Sequence, residues 1–481
     1  MRSSTSPAIL WFRKDLRLCD NAALSQASAE GRPVVAVYIR EPAETGNGPL
    51  GAAQAWWLHH SLTALAGALS NRGNALILRS GPAAKVIAEL IRETGATEVC
   101  WNRRYDPHGI AVDGPLKQAL SRDGVTVSSF CGQLLHEPSV LKTGSGGPYK
   151  VYSPFWRALA AGEEPPTPFD PPRRIAAPES LPPSETLSDW TLLPKKPDWA
   201  KGFSDLWCPG ETGALARLAA FVDDGLDGYA TRRDLPGADG TSMLSPHLAL
   251  GEISPARLWH AVSARSDVAE NDRLVFRKEV VWRDFSYHLL FHNPDMARRN
   301  LDDRFDAFPW ISDGAKLKRW QMGRTGYPIV DAGMRQLWTT GYMHNRVRMI
   351  AASFLIKDLM IDWRQGEAWF RDTLVDADPA SNAASWQWVA GCGADAAPFF
   401  RVFNPILQGE KFDPDGSYVK THVPELAKLP PKYLHRPFEA PKPVLEAAGI
   451  VLGDTYPRPV VDHFEARDRA LAAYQAVKDA A

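Results

Sequence analysis

Eight residues between Gly323 and Lys411 carry side chains from which chemistry can be built: Asn345, Arg346, Arg348, Trp363, Asp376, Asp378, Asn382 and Trp386. Seven of them fall in short clusters, with Arg348 just beyond the first: Met343-His344-Asn345-Arg346, Asp362-Trp363-Arg364, Asp376-Ala377-Asp378, and Asn382 running into Trp386-Gln387-Trp388. Carboxylates, guanidinium groups and indoles interleaved this closely point to a buried aromatic cofactor beside a surface for a polynucleotide. A plain apolar core uses Trp sparingly, because the indole is bulky and its N–H needs a partner.

The spacing sorts these residues by face. On a helix, Arg346 and Arg348 are about 200° apart, so one can meet a phosphodiester while the other meets an internal group. Asp376 and Asp378 are the candidate internal partners, since an unpaired buried arginine is costly. Two solvated arginines are the plain alternative. Asn382 and Trp386, at i and i+4, share a face, and Trp388 points away from it. That turn can serve a cofactor on one side and a base on the other, or be a tryptophan-rich core hinge. Glu279, Trp282 and Arg283 share a helical face, either to read and stack on a base or as an ion pair beside a packed indole. Gly240-Thr241-Ser242-Met243-Leu244-Ser245-Pro246 reads as hydroxyls ahead of a helix start, with Ser245 as N-cap and Pro246 first inside. Such a terminus suits a phosphate; an ordinary capped helix is the alternative.

These side chains need a scaffold larger than one small core. With 481 residues the chain predicts two domains. Formal net charge is -1, so any nucleic-acid contact must come from a local basic patch. The cysteines, Cys19, Cys100, Cys131, Cys208 and Cys392, form no C-x-x-C pair, which argues against zinc or iron–sulfur sites and for a reducing compartment. The apolar run Ala8–Phe12 is too short for a signal peptide, and no run reaches membrane-spanning length. A soluble cytoplasmic protein is the expectation.

Up to about residue 132, short branched-apolar runs alternate with helical patterns. The runs are Ala8–Phe12, Val34–Ile39, Ala75–Leu78, Glu98–Trp101 and Val125–Phe130. The helical patterns are Asn21–Ala29, Ala52–Ser70, Ala83–Glu93 and Ile110–Arg122. The alternation predicts a Rossmann-like α/β domain with a parallel sheet. No G-x-G-x-x-G follows a strand, so dinucleotide binding there is not supported. Residues 133–205 read as a connector that buries little; Pro165–Pro197 alone holds ten prolines. From 206 to 481 helical periodicity dominates, as in the stripe Val347, Ile350, Ala351, Phe354, Leu355, and predicts an all-α domain.

In this order the clusters resemble the photolyase/cryptochrome family over nearly the whole chain. The likeness begins at Trp11-Phe12-Arg13-Lys14-Asp15-Leu16-Arg17, passes through Gly240–Pro255 and Gly326-Tyr327-Pro328-Ile329-Val330-Asp331-Ala332, and reaches Phe403-Asn404-Pro405. Within the family the match is to bacterial photolyases that repair cyclobutane pyrimidine dimers. The resemblance implies an α/β antenna domain, a long connector and a helical FAD domain. It implies FAD, reduced in the active form, held by Tyr229, Thr241, Ser242, Met243, Leu244, Ser245, Arg283, Arg348, Asp376, Asp378 and Asn382, with Asn382 at flavin N5. Trp386, Trp363 and Trp310 match the family's electron relay. Arg233, Glu279, Trp282, Asn345, Arg346, Met349, Trp388 and Gln408 match the side facing UV-damaged DNA, with Glu279 at the base edge. Tyr105, Asp106 and Arg298 match an antenna site for 5,10-methenyltetrahydrofolate, a deazaflavin being the rival.

The chain departs from the pattern at Tyr342 (often Trp), Met243 (often Arg), Asp106 (Glu) and Ala297-Arg298 (Cys-Lys). The implied activity is light-driven dimer repair by a monomer. Its rivals are a blue-light cryptochrome signalling to a protein, (6-4) photoproduct repair, and a generic flavin oxidoreductase. The full dimer-facing set and the chain's stop at Ala481 favour repair over signalling. His344 followed by Asn345, not by a second histidine, argues against (6-4) chemistry.

Overall fold

The computed structural model describes residues 6–42, 50–395 and 400–479. The chain forms two compact units. The first comprises 1–198, 207–226 and 242–294; the second comprises 199–206, 227–241 and 295–481.

The first unit is built on five parallel strands: β1 (Ala8–Phe12), β2 (Val34–Arg40), β3 (Leu76–Ser80), β4 (Glu98–Asn102) and β5 (Thr126–Phe130). Their order is β3-β2-β1-β4-β5, with Ala8 in register with Val34 on one side and Glu98 on the other. β1 is central and every residue in it is buried, as its unbroken apolar run requires of a strand covered on both faces. Helices Ala22–Ala27, Ala52–Ser70, Ala83–Thr94 and Pro107–Arg122 alternate with the strands. The strand order reverses between β1 and β4. There the buried Arg13 guanidinium lies 4.5 Å from the Trp11 ring and 5.6 Å from the Trp101 ring, and Asp113 pairs with it at 2.7 Å.

The proline-rich stretch buries more than its composition suggests. Ile175 and Trp190 are both in the core. Val34 N–H donates to Ala176 O at 2.8 Å and Glu185 N–H to Leu78 O at 2.8 Å. Proline keeps the segment extended, and its remaining amides and carbonyls pair with the edge of the first unit instead of with water. The long helix Glu270–His292 also belongs to this unit.

The second unit is helical. Its main members are Pro328–Thr340, Asn345–Ser353, Trp363–Thr373, Pro379–Ala390, Pro405–Phe412 and His463–Asp479. Among the described residues of this unit, strand-like pairing is confined to one isolated bridge, Leu452 with Tyr456. The apolar stripe is buried at Val347, Ile350, Ala351, Phe354 and Leu355. A π-helical turn, Phe354–Asp358, continues the Asn345–Ser353 helix.

Candidate functional site

The candidate residues are distributed over both units. In the first, Ser242–Leu244 leads into a five-residue helix, Ser245–Ala249. The helix starts one residue earlier than the Ser-Pro signature suggests. Leu244 already has helical angles (φ -94, ψ -7) and takes the N-cap position, so Ser245 lies inside the helix. Met243 has a left-handed backbone (φ 53), a conformation a β-carbon disfavours. Glu279, Trp282 and Arg283 lie on Glu270–His292 as expected. The Trp282 ring stacks on Tyr152, with centroids 3.6 Å apart and planes 6° apart. Arg283 donates to Gln133 O at 2.6 Å, and its guanidinium faces Tyr287 at 5.0 Å. Next to it, burial pushes the Asp284 carboxyl up to about 7, against the pull of Arg283 and the His136 and Leu135 amides.

The first unit also holds Tyr105 and Asp106, and both are engaged internally. The Tyr105 hydroxyl donates to Glu137 Oε1 at 2.7 Å. Asp106 caps the Pro107–Arg122 helix by accepting Gly109 N–H. Arg298, in the second unit, is exposed, and its carbonyl accepts from Arg364 Nε at 2.7 Å.

In the second unit the two arginines of the Asn345–Ser353 helix do part. Arg348 Nη2 meets the buried Asp376 at 2.8 Å and its Nε reaches Met343 O at 2.6 Å. Burial pulls this guanidinium down, but Asp376 and the Tyr342 hydroxyl outweigh it, and the net shift is upward. Tyr342 stands 5.1 Å from Arg348 and bonds Thr241. Arg346 instead pairs with Asp234 at 2.8 Å and lies 4.4 Å from the Phe412 ring. Asn345 and Arg346 converge on Met349 Sδ, at 4.0 and 3.9 Å. Arg233 sits over Tyr229 at 5.7 Å, beside Asp234. Gln408 lies on Pro405–Phe412, the helix that also carries Phe412.

His344 caps the same helix, its Nδ1 accepting Arg346 N–H. Burial, helped by Arg348, lowers its imidazole to about 4. Asp378 is likewise an N-cap: its Oδ1 accepts Ala380 and Ser381 N–H at 3.1 and 2.8 Å, ahead of Pro379. The Asp-Pro pair announces that cap in the sequence, although Asp378 was expected as an arginine partner or a cofactor contact.

Asn382 lies one turn on, with Nδ2 donating to Glu367 O at 3.1 Å and Glu367 Oε1 at 2.9 Å. Glu367 is a site residue that sequence reasoning missed. Burial raises its carboxyl, with Arg371 and Asn382 opposing. Because Asn382 spends its amide hydrogens on Glu367, its carbonyl oxygen is left as the acceptor toward any ligand. That suits a reduced flavin, which presents an N–H at N5.

The three tryptophans expected to form a relay differ in burial: Trp386 and Trp363 are in the core and Trp310 is half-exposed. A β-carbon on Gly366 would stand 2.1 Å from Trp386 Cη2, so this indole lies on the Trp363–Thr373 helix one turn beyond Trp363. Ile311 N–H donates to Met360 O at 2.7 Å, which brings Trp310 to the other end of that helix. Trp363 Nε1–H donates to Asn300 Oδ1 at 2.9 Å. A separate stack runs Trp199, Trp338, Trp369, with centroid steps of 5.1 and 6.0 Å. Trp388 donates to Asp395 O at 3.1 Å and lines a cavity with Lys357, Phe400, Arg401 and Phe403. Among the described residues no cluster could hold a metal ion, and no helix is long and apolar enough to cross a membrane.

Comparison with known proteins agrees with this architecture. Residues 8–173 match the DNA photolyase family and residues 276–476 the FAD binding domain of DNA photolyase. The chain is 64% identical over 479 residues to a deoxyribodipyrimidine photo-lyase of Agrobacterium fabrum, covering 99% of each. A bacterial class III photolyase from Agrobacterium tumefaciens, solved by crystallography, superposes with a TM-score of 0.97 at 64% identity, over 100% of this chain and 99% of that one. Cryptochrome-1 of Arabidopsis thaliana is 37% identical over 476 residues, 96% of this chain but 69% of its own length. This chain belongs to the photolyase/cryptochrome family. It is a flavoprotein of that family, with an N-terminal parallel sheet followed by a helical FAD-binding domain.

Proposed function

We propose that the protein is a deoxyribodipyrimidine photo-lyase, repairing cyclobutane pyrimidine dimers in UV-damaged DNA under blue light. The observation that carries this reading is the divergence of Arg346 and Arg348 on one helix. Arg348 is tied to buried Asp376, while Arg346 is held by Asp234 beside Asn345 and Met349. One arginine thus serves a cofactor and the other a phosphate.

When bound, reduced FAD supplies, on absorbing light, the electron that opens the cyclobutane ring and takes it back afterwards. The residues do the rest. Tyr229, Thr241, Ser242, Met243, Leu244, Ser245, Arg283, Arg348, Asp376 and Asp378 would hold the flavin nucleotide. Asn382 offers its carbonyl at N5, and buried Glu367 fixes the amide so that it cannot flip. Arg346, Arg233, Asn345, Met349 and Gln408 bind the damaged strand, and the dimer is turned out of the stack. Trp282 and Trp388 stack on the bases and Glu279 bonds their edge. Trp386, Trp363 and Trp310 carry electrons inward to refill oxidised flavin. Residues 1–132 carry an antenna pigment, 133–205 connect, and 206–481 form the FAD and DNA region. The antenna is methenyltetrahydrofolate, with a deazaflavin as the alternative; reconstitution with each distinguishes them. The protein works as a cytoplasmic monomer.

His344 bears on the choice of lesion. With its imidazole lowered to about 4 and Nδ1 occupied by Arg346 N–H, it is neutral near pH 7. Its one proton then sits on Nε2 of a neutral ring, far too weak an acid to protonate a (6-4) photoproduct, whereas a cyclobutane ring needs only an electron.

The test is direct. Reduced, purified protein is illuminated with DNA carrying dimers, and dimers are counted. Loss of dimers in light and not in darkness, with (6-4) products untouched, is the expected result. Flavin photochemistry with no loss of either lesion would instead assign the chain to the signalling cryptochromes.

A further inference from the structure

The hydrogen bond on Trp363 bears on where a proton goes when this indole is oxidised. Trp363 is fully buried, and its Nε1–H donates to Asn300 Oδ1 at 2.9 Å. Asn300 in turn donates from Nδ2 to Asp306 Oδ1 at 2.6 Å, and Asp306 faces solvent. Chemistry sets the amide's orientation. An indole can only donate and an ionised carboxylate can only accept, so the amide oxygen must face Trp363. The other charges beside the ring are Arg364, 4.8 Å from its centroid, and Asp362, which pairs with Arg364 at 3.0 Å.

An indole that has lost an electron is strongly acidic at Nε1. A carboxylate, an imidazole or water at the position of Asn300 would take the proton and leave a neutral radical, trapped until a proton returned. An amide oxygen accepts a hydrogen bond but is a very weak base. Asp306, drawing on the far end of the same amide, makes that oxygen a better acceptor through the linked bonds. The contact therefore stabilises the oxidised indole without deprotonating it.

We infer that Asn300, with Asp306 behind it, keeps the Nε1 proton on Trp363 and so makes Trp363 a through-site for the electron hole and not its end point. Asn300 is a positioning residue for light activation; the inference rests on the relay reading given above. The balance is as follows. Trp363 gives one electron to Trp386 and receives one from Trp310, its proton staying in place. Half-exposed Trp310 releases its indole proton to water. A soluble thiol then returns one electron and one proton to Trp310.

The test is flash photolysis of FAD-loaded, oxidised protein, reading the absorption that separates protonated from neutral tryptophanyl radicals. A Trp310→Phe parent stops the hole at Trp363. With Asn300 present, the radical keeps the protonated spectrum and its decay is insensitive to deuterium oxide. Adding Asn300→Asp with Asp306→Asn moves the carboxylate one residue inward at constant charge. That variant gives the neutral radical, longer lived and formed more slowly in deuterium oxide. Asn300→Leu, which only removes the acceptor, lowers the radical yield and keeps the protonated spectrum. A neutral radical in the Asn300 parent, a protonated one in the swapped variant, or an unchanged yield in Asn300→Leu overturns the inference. Trp363→Phe separates the two levels. If it leaves the radical yield intact, the relay and the inference fall together. If it abolishes the yield while the Asn300 variants behave as the parent does, the inference alone falls.

Discussion

Gly366 and Trp386 touch so closely that no side chain fits between them: a β-carbon at Gly366 would lie 2.1 Å from Cη2 and 2.4 Å from Cζ3 of the indole. Leu355 closes the third side at 2.7 Å. Phe370, at 4.9 Å between centroids, holds the indole edge-on. Gly366→Ala must push the ring away from its helix. Overpacking of this kind costs about 1–3 kcal/mol. We expect slower photoreduction of bound flavin at equal FAD content; an unchanged rate would show that the exact seat of Trp386 does not matter.

Asp376 is buried and holds Arg348 at 2.8 Å. Removing one partner of such a pair leaves a stranded charge, with a cost of about 3–5 kcal/mol. Asp376→Ala is expected to emerge from gel filtration with little flavin, read as the ratio of flavin to protein absorbance. Full flavin retention would remove the pair from the cofactor site.

Arg346 and Trp282 are expected to fail in different ways. Arg346→Ala weakens binding to damaged and intact DNA alike and lowers the salt slope by about one counterion. Trp282→Ala costs about 1–3 kcal/mol for a lost stacked base and acts on damaged DNA alone. Titrations at several salt concentrations with both DNAs decide it. Equal loss on both DNAs for Trp282→Ala would mean that its stack with Tyr152 serves structure only.

Lys357 gives a pH prediction. It is buried in the π-helical turn, donates to Arg401 O, and lies 4.5 Å from the Phe400 ring. Burial lowers its ammonium to about 7, with Arg401 adding and Asp358 opposing. Between that value and its ordinary value of 10.5 the unfolded chain binds a proton that the folded chain does not. This lysine therefore adds stability as pH rises through that window and costs its full penalty below it. Lys357→Met removes the penalty. The variant should exceed the native protein in urea stability at pH 6.5 by a few kcal/mol more than at pH 9.5, on the order expected for a shift of this size. The reverse trend would contradict a neutral buried lysine.

The strands were legible because each is a short apolar run, and the Ala52–Ser70 helix was legible to the residue. Rotation along a helix and the cost of a buried cation pointed to an internal carboxylate for one of Arg346 and Arg348, but left open which arginine and which of Asp376 and Asp378 would pair. Glu367 was not legible: a glutamate four residues before Arg371 reads as a solvated pair, and only burial beside Asn382 makes it part of the site. The Ser245 cap was misplaced by one residue because Leu244 had already turned helical. Periodicity tells which face of a helix is covered, not what covers it. Glu270–His292 therefore looked like one more member of the helical region and instead belongs to the unit that holds the sheet.

That membership has a consequence for how the chain is made. The first unit takes residues 1–198, then 207–226 and 242–294, with pieces of the second unit threaded between them. A chain leaving the ribosome presents all five strands by residue 130, but the unit is incomplete until residue 294 has emerged. Until then the helix Ala52–Ser70 lacks Trp207, His247 and Glu252, which cover its Trp57, and leaves apolar surface open to solvent, the condition in which nascent chains aggregate. A fragment cut at residue 132 reproduces that unfinished state. We expect it to recruit chaperones or precipitate, while a chain ending at residue 294 remains soluble.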